Sequence, residues 1–112
     1  MDATELPTLP PECFGLVHFS AGFKERFGNI ARALANELFW RFAKNDWGSL
    51  CEEDKGYNAR DLLSGVPCRL MGAYDVGPQK EKVWVISYIQ YDFEMQQNHD
   101  SCNTCVLLPS DY

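Results

Sequence analysis

The chain has 112 residues, 16 acidic against 10 basic side chains for a formal charge of −6, and 7 Phe, 5 Tyr and 3 Trp within a 46% hydrophobic composition. That length suits one domain rather than two, and the apolar content is enough for a core that does not depend on disulfides. The acidic balance excludes a protein that holds DNA by charge or a membrane by a polybasic patch, because both need a surplus of Lys and Arg.

The start, Met1-Asp2-Ala3-Thr4-Glu5, carries no apolar signal-peptide stretch, and the longest apolar run, Val83-Trp84-Val85-Ile86, is far short of a membrane span. A soluble, cytoplasmic protein is expected. In that reducing compartment Cys13, Cys51, Cys68, Cys102 and Cys105 are expected to be thiols or metal ligands.

Residues 1–12 contain Pro7, Pro10 and Pro11 and read as a flexible arm ahead of a single domain over 13–112. Phe14 to Phe19 can form a short strand, after which Ser20 is placed to cap a helix. Over 22–43, Phe23, Phe27, Ile30 or Ala31, Leu34, Leu38 and Phe42 recur three or four apart and share one helical face. Gly28-Asn29 interrupts that pattern, and Asn29 as an N-cap would split it into helices near 22–27 and 30–43. Phe39 and Trp40 widen the apolar stripe, so Trp40 is either a partner-facing ring or part of the core.

Asn45-Asp46-Trp47-Gly48 closes the helix, with the Trp47 ring expected to fill core while Asp46 and Gly48 shape the turn. Asn58-Ala59-Arg60-Asp61 resembles a capping box ahead of a short helix through Ser64, stopped by Gly65 and Pro67. Cys68–Tyr74 and 82–90 read as strands joined by turn residues 75–81, residues 96–103 as a polar loop, and 104–108 as a last strand. In 82–90 both faces are apolar, which predicts either cover on both sides or one sticky face. The expected fold is α+β: N-terminal helices on a small antiparallel sheet of three to four strands.

From Asp46-Trp47-Gly48 onward the sequence resembles a family of small proteins labelled plasmid-related, common on conjugative plasmids and integrated mobile elements. The resemblance rests on Asp46-Trp47-Gly48, Cys51-Glu52-Glu53-Asp54, Asn58, Gly65, Arg69, Tyr74, Trp84 with Ile86, and Leu107-Leu108-Pro109-Ser110-Asp111-Tyr112, over about 41–112. The chain departs from the family pattern at Phe42, where the family has His, and at Ser87-Tyr88-Ile89-Gln90, where it has Thr-Glu and then Asp-Arg. The resemblance implies residence on a mobile element and no particular reaction.

His99-x-x-Cys102-x-x-Cys105 is the sharpest local chemical signal. An imidazole and two thiolates at this spacing can hold a structural Zn²⁺, with Cys51, Cys68 or His18 as the fourth ligand. The competing reading makes Cys105 a small buried residue of the last strand. A thioredoxin-like pair is disfavoured because a strand, not a helix N-terminus, follows. Cys51 with His18 as base is a poor nucleophile, since neighbouring carboxylates raise a thiol pKa. Glu52, Glu53 and Asp54 read as a solvated acidic face rather than a Mg²⁺ site, and no phosphate-binding glycine loop is present.

Three classes of function are consistent with these features. The favoured one is a non-enzymatic interaction protein of a mobile element that inhibits a host defence nuclease, as a CRISPR inhibitor or antirestriction factor does. Its partner would be an effector with a basic nucleic-acid channel, met by Glu52, Glu53, Asp54, Asp92, Glu94 and Asp100, with Trp40 as an aromatic contact. The second is a small zinc-stabilised regulatory module, with His99, Cys102, Cys105 and Cys51 as ligands. The third, a thiol or metal hydrolase, lacks a paired base and nucleophile.

Overall fold

The computed structural model describes residues 6–99 and 102–112. A 3-10 turn at Pro11–Phe14 leads into β1 (Leu16–Phe19), α1 (Ala21–Phe27), a second 3-10 turn (Gly28–Ile30), α2 (Ala31–Ala43) and α3 (Glu52–Ser64). Then come β2 (Cys68–Val76), β3 (Glu81–Ile89), the short strands β4 (Tyr91–Asp92) and β5 (Gln97–Asn98), β6 (Asn103–Leu107) and a closing 3-10 turn at Pro109–Asp111. The architecture is α+β, as the sequence predicts.

One four-stranded sheet runs in the order β1-β6-β3-β2, and β4 and β5 form a separate two-stranded ribbon. β2 with β3 and β3 with β6 are antiparallel, but β1 lies parallel to β6. The sheet is therefore mixed, which corrects the antiparallel expectation. Parallel neighbours need a long crossover, and the three helices and two long strands between Phe19 and Asn103 supply one. The polar 96–103 stretch is also not all loop: Gln97–Asn98 pairs back on Tyr91–Asp92.

Strand alternation builds the core. Val83, Val85, Ser87 and Ile89 of β3, with Leu70 and Tyr74 of β2 and Thr104 and Val106 of β6, are buried on one face. Phe14, Phe23, Leu38, Phe39 and Phe42 complete that core, Phe14 meeting Phe39 and Phe42 edge-on. The two buried hydroxyls are satisfied: Ser87 Oγ and Thr104 Oγ1 lie 2.7 Å apart, and Thr104 Oγ1 donates to the Phe14 carbonyl. The opposite face of β3 carries Trp84, Ile86 and Tyr88, only partly covered, with Tyr112 stacked edge-on against Trp84. Of the two sequence readings, one covered face and one open face is the one seen.

Helix starts depart from the sequence reading at two places. Asn29 is not an N-cap; the chain runs through the Gly28–Ile30 turn with Ile30 already in the right-handed region, so the preceding turn feeds α2 and no side chain caps it. The capping box at Asn58 is also absent, because α3 begins at Glu52. Cys51 takes the extended N-cap conformation, and three acids fill the first turn, where they meet the positive end of the helix dipole. At α1 the expected Ser20 cap is present: its Oγ accepts from Phe23 N–H at 3.2 Å and donates to the Asp111 carboxylate at 2.5 Å. Gly22 leaves room for that carboxylate, since a Cβ there would overlap it.

Between α2 and α3 the chain turns on Asp46-Trp47-Gly48 as expected. Trp47 is buried, Asp46 accepts from Gly48 N–H at 3.1 Å, and Gly48 takes φ +69° against the Ala73 carbonyl. Within the arm, Leu6 and Leu9 pack on the core and the Pro7 carbonyl accepts from Asn45. Among the described residues no helix is long and apolar enough to cross a membrane.

Candidate partner-binding surfaces and the cysteine positions

The two edges of the main sheet are treated differently. At the β2 edge, Asn58 is buried at 4% exposure in the middle of α3. Its amide reads the main chain of Met71 as a neighbouring strand would, donating to the carbonyl at 2.7 Å and accepting the N–H at 3.2 Å. One step along, Ala73 N–H donates to the Trp47 carbonyl and Ser49 N–H to the Ala73 carbonyl. A helix side chain and a corner segment thus seal that edge against further strand pairing. At the other edge, β1 pairs with β6 alone among the described residues and leaves Leu16 and Val17 exposed.

The acidic residues stand on the outside. Glu52, Glu53 and Asp54 form the exposed first turn of α3; Glu52 sits 3.6 Å from Lys55, and Glu53 accepts from Tyr57. Asp92 is turned inward on its own loop, accepting from the N–H groups of Glu94 and Met95, so its charge also shapes the β4–β5 ribbon. That ribbon exposes Phe93 and Met95 beside Glu94. Asp100 lies outside the described residues. Trp40 is 43% exposed while its neighbour Phe39 is buried, so of that ring pair only Trp40 faces outward. The exposed apolar tip of the ribbon was missed at the sequence level; the local signal was Asp92, an acceptor two and three residues before free amides.

The zinc quartet does not converge. Cys102, just ahead of β6, is buried, whereas Cys105 within β6 falls on the face opposite to buried Thr104 and Val106. Cys102 points inward, its Sγ 3.0 Å from the Cys13 carbonyl and 3.1 Å from Asn98 Oδ1. Cys105 stands on the open face between His18 of β1 and Ile86 of β3. Cys51 is exposed at the start of α3, beyond the β2 edge. Among the described residues no group of three or more His, Cys, Asp or Glu is placed to hold a metal ion. His18 and Cys51 are separated by the whole sheet, roughly 14 Å at ~4.8 Å per strand spacing, so they do not form a nucleophile–base pair.

Burial sets the chemistry of the inner thiols. Desolvation, with Glu12 and Cys102 nearby, pushes the Cys13 thiol up to about 11. Desolvation, with Asp61, Cys102 and Cys13, does the same to Cys68, also to about 11. Cys105 is raised as well, by burial and then by Asp111. Thiols in this state are protonated at neutral pH and are weak nucleophiles. Asp46 is shifted the other way: its hydrogen bond from Arg41 Nε at 2.8 Å, helped by Gly48 N–H, holds the carboxyl below its usual range against the desolvation that opposes it. Burial pushes the Tyr74 phenol up, and its hydroxyl donates to the Asp46 carbonyl at 2.8 Å, tying the corner to β2.

A groove of about 700 Å³ runs along α3 between the Trp47 corner and the arm residue Leu6. Gly56 and Ala59 are among the α3 residues that line it. Sequence reasoning could not find it, because its walls come from three distant segments.

Comparison with protein-family models, with curated proteins and with solved structures finds no match to this chain. The functional reading therefore rests on the residues and their placement.

Proposed function

We propose that the chain is a non-enzymatic interaction protein of a mobile genetic element. It acts in the cytoplasm and inhibits a host defence nuclease by setting acidic groups into that nuclease's basic nucleic-acid channel. The observation that carries this reading is the placement of the acids: Glu52, Glu53 and Asp54 fill the exposed first turn of α3 and are held there by the helix. A second contact, Asp92 and Glu94 with Phe93 and Met95, lies on the β4–β5 ribbon near Val66 and Pro67 at the far end of α3. Two acidic regions, the second carrying exposed Phe93 and Met95, match a channel that otherwise holds phosphates, and complementary potential speeds such docking. The resemblance to plasmid-related proteins supplies the biological setting.

The test is a DNA-cleavage assay with a panel of purified CRISPR effectors and restriction nucleases. The parent protein is expected to block at least one of them. The triple variant Glu52→Lys, Glu53→Lys, Asp54→Lys is expected to need at least about tenfold more protein for the same block, as loss of close charge pairs at an interface does. Inhibition by the parent and the variant at equal concentration would overturn the acidic mechanism, and failure to bind any effector would overturn the reading itself.

A further inference from the structure

We infer that β1 is a self-association edge: two copies of the chain pair β1 against β1, antiparallel about a two-fold axis at His18, and join their sheets into one of eight strands. This stands apart from the inhibitory reading and does not depend on it.

The register of the sheet shows which groups the edge offers. Ser20 N–H donates to the Val106 carbonyl at 2.9 Å, and β1 runs parallel to β6 with His18 opposite Cys105 and Phe19 opposite Val106. In a parallel pair the N–H and C=O of one residue both face the neighbour, and those of the next both face away. His18 and Ser20 therefore bond to β6. Val17 and Phe19 turn their main-chain groups outward, where none has a partner among the described residues. Sheet edges are ordinarily blunted by charge, proline or a bulge. The β2 edge is sealed by Asn58 and the Trp47 corner, whereas Leu16-Val17-His18-Phe19 holds no Lys, acid or Pro and leaves Leu16 82% and Val17 41% exposed.

An extended chain is the ligand whose N–H and C=O groups match such an edge. A second copy is selected because the edge is its own complement. With the axis at His18, Val17 of one copy lies opposite Phe19 of the other. Both residues present a donor and an acceptor, so four N–H···O=C bonds form and no outward group of β1 is left unpaired. The same register sets the Val17 side chain against Phe19 of the second copy on the core side of the sheet, covering both. The two His18 side chains meet across the axis on the open side, a close pair with Cα atoms ~4.5 Å apart. α3, beyond the opposite edge, stays free in both copies. A four-residue strand makes a small interface, so the association is weak and depends on concentration.

The test is sedimentation velocity from micromolar to millimolar protein, in high salt to screen the −6 charge of each copy, with hydrogen exchange to locate the contact. The mass is expected to rise toward twice that of the chain, and the Val17 and Phe19 amides to become protected as it does. Val17→Pro removes an outward N–H and none that β6 uses; it should weaken association at least about tenfold while keeping the circular dichroism of the parent. His18→Lys and His18→Glu each place like charges across the axis and should each weaken association about threefold, and an equimolar mixture of the two should recover it. That mixture decides the matter if the proline variant does not fold. A protein monomeric at millimolar concentration, protection centred away from β1, association untouched by Val17→Pro, or a mixture no stronger than its components would overturn the inference. So would capture of an unrelated extended peptide at β1 by a chain that stays monomeric on its own.

Discussion

Asn58 closes one side of the sheet, and its replacement tests that directly. In Asn58→Ala the Met71 carbonyl and N–H lose partners at 2.7 and 3.2 Å, at a position where the side chain is 4% exposed. Two ordinary hydrogen bonds contribute about 1 kcal/mol each, and more if the orphaned groups stay dry. Alanine returns about 0.5 kcal/mol of helix propensity. The net loss is therefore about 1.5 kcal/mol, a large share of the ~5–15 kcal/mol that holds a domain of this size. With a urea slope of ~2 kcal/mol per molar, the unfolding midpoint should fall by about 0.7 M. Asn58→Asp refines the test. The carboxylate can still accept from the Met71 N–H, but it faces the Met71 carbonyl without a proton to donate, so its folded-state pKa rises above the unfolded value near 3.9. The stability of that variant relative to Asn58→Ala is then fully present below about pH 4 and is lost as the pH climbs through the raised value. A loss below about 0.5 kcal/mol for Asn58→Ala, or no pH dependence in Asn58→Asp, would show that water serves the edge as well as the amide does, and the argument would fail.

Gly48→Ala should destabilise by at least about 2 kcal/mol in the same urea assay: it combines a positive φ, worth ~1–2 kcal/mol, with a Cβ driven into the Ala73 carbonyl. For Asp46, whose folded pKa lies below its unfolded value, the Arg41 contact adds stability above about pH 4 that is lost as the pH falls through the folded value. Asp46→Asn should flatten that part of an acid titration followed by circular dichroism. Among the thiols, Cys51 is exposed and should react with Ellman's reagent at once, while Cys13 and Cys68 should react only at the rate of unfolding. Metal analysis of tag-free protein belongs beside this measurement, because one zinc per chain on His99, Cys102, Cys105 and Cys51 would require Cys102 to leave the core.

What could be read in advance follows the range of the interactions involved. The alternating faces of β3, the Ser20 cap and the Trp47 corner are local patterns, and each is found, while the turn expected over 75–81 is shorter because Asp75, Val76 and Glu81 pair within the sheet. The start of α3 was hidden because Cys51 is not a usual cap, although the acid triplet after it is a helix-start signal. With that start displaced, Asn58 looked like a cap when it is a mid-helix residue reaching another element. The direction of β1 depends on a crossover that spans most of the chain, which no window of residues reveals. The His99, Cys102 and Cys105 spacing suggested a metal because it was read along the chain, whereas Cys102 is buried ahead of β6 and Cys105 falls on the face opposite to buried Thr104 and Val106.

The account stands on charge presented at a surface, and the salt dependence of binding reads that charge. Affinity for the inhibited nuclease, measured by titration calorimetry across rising sodium chloride, should fall steeply for the parent protein and shallowly for the Glu52→Lys, Glu53→Lys, Asp54→Lys variant, and excess DNA should displace the parent. Equal salt slopes for the two proteins, with the nuclease still binding its DNA in their presence, would contradict it.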